Sequence, residues 1–173
     1  MSKYFSHIIS WGSLLIIAVT VIALLTFIIK LSWFSELAIS GIALPIQWAT
    51  VEGWQWYLLW FSTAVYLSIG LLGLYFLHLT FKNISKGEFF NLTNSLNIKR
   101  FSIFLFMQAA AKPIHLSLAS LYLSFNHPEG EKVFALVFGS QEVFVLSLAM
   151  ILWVISDVLV AGCKLQSENR QFV

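Results

Sequence analysis

The chain has 173 residues, of which 59% are hydrophobic and only 10% charged, with a formal net charge of +2. A soluble domain of this length carries about a quarter charged residues, so the composition excludes a water-covered globule and points to lipid as the main solvent. The small net charge gives no basis for direct nucleic-acid binding, and the single cysteine, Cys163, excludes a disulfide within the chain.

Residues 8–29 are free of charge and end at Lys30. At ~1.5 Å per residue they cover ~33 Å, enough for the hydrocarbon core. The run is longer than the apolar part of a signal peptide, so it reads as a retained span. Residues 33–60 hold Trp33, Trp48, Trp54, Trp56 and Trp60, five of the seven tryptophans. Indole rings favour the headgroup layer, which makes this stretch an expected aromatic belt. Pro45 closes any short interfacial helix over residues 35–44.

The second span is expected at residues 57–81 and the third at 101–125. The apolar run at 133–163 exceeds one crossing. The crossing is therefore set at 143–163, with 133–142 as an outer extension that breaks near Gly139-Ser140. The expected architecture is all-α: a single transmembrane domain over residues 1–173, with a four-helix bundle built from two helical hairpins. A basic connector, residues 82–100, joins them, and residues 164–173 form the tail.

Orientation follows from basic residues. Seven of them (Lys3, Lys82, Lys86, Lys99, Arg100, Lys164 and Arg170) share the side of the connector and both termini, against Lys30 and Lys132 opposite. The connector, the tail and both termini are thus expected in the cytoplasm.

Within the connector, Gly87 suits the left-handed end of the second helix. Asn91 suits the N-cap of the third, with Phe90 placed as a hydrophobic staple. Lys99 and Arg100 fall at headgroup level, where anionic lipid attracts them. The pattern Phe81-Lys82-Asn83-Ile84-x-Lys86-Gly87-x-x-Phe90-Asn91, then Asn94, then Ile98-Lys99-Arg100, resembles the cytoplasmic loop of the bacterial domain of unknown function 2975 family. The tail, Gly162-x-Lys164-Leu165-Gln166-x-Glu168-Asn169, resembles that family's terminal pattern; Gln171-Phe172-Val173 is a looser match.

The resemblance implies a four-span protein of the bacterial inner membrane without assigned activity or cofactor. It also implies a neighbouring gene for a helix-turn-helix transcription regulator, a candidate soluble partner. Two readings of the motifs stand side by side. They cap helices and determine topology, or they form a docking surface carried by Lys86, Gly87, Phe90, Asn91, Leu165, Glu168 and Asn169.

Polar residues inside the spans form the second candidate site. Gln108, Lys112 and His115 share one face of the third helix, and Tyr122 continues it. A mid-membrane charge costs ~2.5–3.5 kcal/mol on the lenient insertion scale, so Lys112 is expected to face the bundle. Counted from the cytoplasmic ends, Lys112 lies ~18 Å deep and Asp157 ~10 Å. A lysine stem spans much of that difference, which makes Asp157 the expected partner. Glu142 is placed at the outer boundary, out of reach. His78 lies near the depth of Asp157 and completes the network His78, Gln108, Lys112, His115, Asp157.

Such a pair either locks the bundle or belongs to a proton or ion relay. Four spans without an inverted repeat leave little room for a pathway, although a homo-oligomer would build a pore. Metal-ligand spacings, phosphate loops and nucleophile motifs are absent, so a non-enzymatic protein is expected. Ser117, Ser120 and Ser124 read as a helix-packing stripe, and Gly70 and Gly73 as close-packing positions.

Overall fold

A computed structural model describes residues 2–89 and 91–169, without the side chains of residues 2, 3 and 169. The protein is all-helical, with five α-helices: α1 (Ser2–Ile29), α2 (Leu31–Gly41), α3 (Gly53–Ser85), α4 (Leu92–Leu123) and α5 (Ser140–Asn169). Four of these, α1, α3, α4 and α5, are long and apolar enough to cross a membrane. They have 28, 33, 32 and 30 residues. At ~1.5 Å per residue each exceeds the ~30 Å hydrocarbon layer and reaches into both headgroup zones.

The expected connector is mostly helix. Only 86–91 separate α3 from α4, so Lys99 and Arg100 lie within α4, about two turns from its start. The turn is built by the residues that singled it out. Lys86 caps α3, and Gly87 follows with φ of 96°, a left-handed conformation that a Cβ would strain. Asn91 caps α4, its side chain accepting from the Thr93 N–H at 3.0 Å. Asn83 donates to Asn94 at 2.8 Å, and Asn94 donates to the Glu88 carbonyl at 2.5 Å. The proposed staple, Phe90, lies outside the described residues.

Spanning helices pack in chain order: α3 lies against α1 and α4, and α4 against α3 and α5. The most extensive contact is across the connector, between α3 and α4, and α1 and α5 share no extensive contact. Gly70 and Gly73 permit the α3–α4 approach. A Cβ at Gly70 would overlap the Gln108 side chain, and one at Gly73 would come within 3.1 Å of Phe104 Cβ.

Burial is inverted relative to a soluble protein. Serines and other small polar residues lie between helices, including Ser6, Ser10, Ser13, Ser95, Ser102 and Ser156, while large apolar side chains face outward along every span. Between helices in lipid, small residues allow close contact and apolar side chains need no shelter. This pattern, with the four long apolar helices, makes the chain a multi-pass membrane protein.

Among the described residues, an apolar core cluster lies at the α2 end. Phe34, Ile46, Leu59, Ala119 and Leu123 are buried together there. Helix α2 contributes Leu31, Phe34 and Ala38 at helical spacing. The aromatic belt is therefore only partial. Trp33 and Trp54 are exposed, but Trp48 and Trp56 stack 6.0 Å apart against the core, and Trp60 donates to the Leu24 carbonyl at 3.2 Å.

The same end carries a polar clamp. Gln55, fully buried, donates to the Tyr122 carbonyl at 2.6 Å. Buried His127 accepts the Gln47 N–H at Nε2, 3.1 Å, and its Nδ1 lies 3.0 Å from the Glu131 carbonyl. A backbone N–H can only donate and a carbonyl only accept, so the imidazole here is the neutral Nδ1–H tautomer.

Candidate functional site

The chain between α4 and α5 determines where the charged residues meet. Residues 131–139 are not helical. They run back along the last turns of α4, with Val133 and Ala135 partly buried and Phe134 and Leu136 exposed. That alternation is the period of an extended chain. The serine stripe supplies partners for its backbone. Ser124 Oγ accepts from the Val133 N–H at 3.0 Å, and Ser120 Oγ accepts from the Ala135 N–H at 3.1 Å. Ser117 Oγ lies 3.1 Å from the Ala135 carbonyl and 2.8 Å from that of Pro113, and donates to one of them. Lipid offers no partner to non-helical backbone, so the hydroxyls take that role. The stripe does more than allow close packing.

Helix α5 therefore begins below the end of α4 rather than level with it. The break at Gly139-Ser140 is present, but residues 133–142 are not an outer extension. They return inward and deliver the first turn of α5 to Lys112, roughly 17 Å below the end of α4 at ~1.5 Å per residue. Lys112 Nζ forms a very short ion pair with Glu142 Oε1 and donates to Gln141 Oε1 at 3.2 Å. Glu142 Oε2 accepts the Gly139 N–H at 2.7 Å. A carboxylate in the first turn suits the unpaired N–H groups and positive dipole end of a helix.

The expected Lys112–Asp157 pair is not formed. Asp157 pairs with Lys99 at 2.7 Å, and the Lys99 ammonium also lies 5.6 Å from the centre of the Trp153 ring. Depth counting failed because the inward return of 131–139 brings Glu142 to the level of Lys112, while Lys99, on the same helix nearer the connector, meets Asp157.

The remaining members of the expected network lie apart. His78 is bonded across to α1, with Nδ1 3.0 Å from Ser10 Oγ and 2.9 Å from the Ser10 carbonyl. His115 stacks on Tyr66 of α3, ring centres 5.3 Å apart, and its Nδ1 is buried without a partner among the described residues. Gln108 stays with Lys112. Together with Tyr66 and Glu142 they line a cavity of about 220 Å³ between α3, α4 and α5. Tyr66 and Gln141 were missed in the sequence, and Glu142, expected at the outer boundary out of reach, is the residue Lys112 pairs with. An acidic residue just after Gly139-Ser140 was the available signal of a helix start.

At the connector end the two motif stretches converge. Gly87, Glu88 and Asn91 share a cavity of about 640 Å³ with Cys163, Lys164 and Gln166. Phe89 and Leu92 give it apolar walls. Leu165 is 62% exposed beside it, and Glu168 is also exposed. Lys86 does not line this cavity; it faces the crevice between α1 and α3. Phe90 and the Asn169 side chain lie outside the described residues.

The geometry defines a multi-pass helical membrane protein with an ion pair between the middle of α4 and the first turn of α5, and a cavity where connector meets tail. No family model, curated protein or solved structure matches the chain.

Proposed function

We propose that this is a non-enzymatic bacterial inner-membrane protein of the domain of unknown function 2975 type. In this reading both termini and the 86–91 turn are cytoplasmic, and the protein presents connector and tail together to a soluble partner. The candidate partner is a helix-turn-helix transcription regulator encoded beside it. The observation that carries the reading is the shared cavity of about 640 Å³, whose wall takes residues from both motifs although they are far apart in sequence. The orientation rests on seven basic residues against two. Asn83, Asn91, Asn94, Gly87 and Glu88 serve the turn itself, which leaves Phe89, Lys164 and Leu165 to meet a partner.

The test is co-purification of the neighbouring regulator with the full-length protein. Deleting residues 165–173, or replacing 86–90 with a neutral linker, should release the regulator while the four spans stay inserted. Lys112→Met, far from the cavity, should retain it. A regulator that never binds, or binds both altered forms undiminished, overturns the reading. Capture from the cytoplasm tests the orientation at the same time.

A second reading, a small transporter or channel subunit, draws on the mid-span cavity of about 220 Å³ beside the Lys112–Glu142 pair. It predicts ion or proton flux in liposomes that Lys112→Met abolishes and the tail deletion leaves intact. Against it, His78 and Asp157 have partners elsewhere and extend no path from that cavity.

A further inference from the structure

A crevice of about 280 Å³ opens between the start of α1 and the end of α3. Its upper rim carries Lys82 and Lys86, one helical turn apart on α3, with Ser85 between them and His7 opposite on α1. Its floor is Trp11 and Leu14, with His78 behind. No carboxylate lines it. Neither lysine forms an ion pair among the described residues, whereas Lys99 and Lys112 both do. Two ammonium groups thus face one space with nothing to neutralise them.

The crevice is polar and cationic at the helix ends and apolar toward mid-span. Trp11, exposed on the first turns of α1, belongs to a type that prefers the headgroup layer. His78 is fixed from the side by Ser10, which joins the two walls.

We infer that this crevice is a binding site for a phosphate group, and that an anionic phospholipid supplies it. Lys82 and Lys86 pair with the phosphate oxygens, His7 adds a hydrogen-bond donor, and the acyl chains descend over Trp11 and Leu14. A free phosphate shares the rim chemistry but leaves the apolar floor unused. The ligand joins α1 to α3 beside the Ser10–His78 contact.

The experiment uses the full-length protein in mild detergent and native mass spectrometry. Phosphatidylglycerol, phosphatidylcholine and inorganic phosphate are titrated separately. Wild type should retain phosphatidylglycerol over phosphatidylcholine. K82Q/K86Q should bind phosphatidylglycerol about thirtyfold more weakly, the value of two lysines at a membrane surface, with unchanged helical content. K164Q, a basic residue of the same end outside the crevice, should bind as wild type does. If inorganic phosphate binds alone and depends on the same lysines, the site holds and free phosphate is its source. Equal binding by K82Q/K86Q and wild type, or an equal loss in K164Q, overturns the inference and leaves only a diffuse surface attraction.

Discussion

Among the described residues two ion pairs join α4 to α5, and their carboxylates differ in exposure. In Lys112–Glu142 the side chains are 32% and 6% exposed; in Lys99–Asp157 they are 32% and 50% exposed. The first carboxylate sits against Gly139 of the returning segment, accepts its N–H and pairs with Lys112. The second is half open, and Lys99 has a tryptophan face as well as the carboxylate. A buried charge whose partner is removed is left stranded, whereas Lys99, about two turns from the start of α4, snorkels to the headgroup layer. The mid-span pair therefore holds structure, and the other is a weak contact of similar appearance.

Removing one member of each pair tests the difference directly. Lys112→Met should give the largest loss, lowering the folded-to-unfolded ratio in detergent by at least about tenfold, because Glu142 stays buried without its partner. Lys112→Met/Glu142→Leu should recover much of that loss. Additive losses in thermal unfolding would mean the two residues are not coupled.

The returning segment comes next. Ser120→Ala removes the acceptor for the Ala135 N–H and should cost ~1–3 kcal/mol, the usual penalty for an unsatisfied buried donor. It should also raise hydrogen exchange across 131–139. Exchange that stays at the wild-type level would show that the hydroxyl does not hold the segment.

The smallest effect is expected at the half-exposed pair. Asp157→Asn should cost ~0.2–1 kcal/mol, and less at high salt. A loss equal to that of Lys112→Met would erase the distinction.

Much of the fold was legible because lipid imposes a blunt rule. Every spanning stretch must be long, apolar and helical, so the four spans stand out in residues 8–163 without any knowledge of packing. Local signals were equally direct. Gly87 and Asn91 end and begin helices through their own backbone and side-chain chemistry, and both do so here. Gly70 and Gly73 mark close packing because only the missing side chain allows it.

Partnership between helices was not legible. Apolar spans carry almost no code for depth, so the offset of α5 against α4 is invisible until the path of 131–139 is known. That path depends on three serines whose spacing reads equally as helix packing. Composition and local chemistry alone yield a multi-span helical protein, its capped connector and the residues too polar for lipid. Which of those residues meet follows from packing. An extended segment returning along α4 pairs Lys112 with Glu142 and leaves Asp157 to Lys99, because a shift of a few residues along a helix moves a charge by most of a side chain's reach.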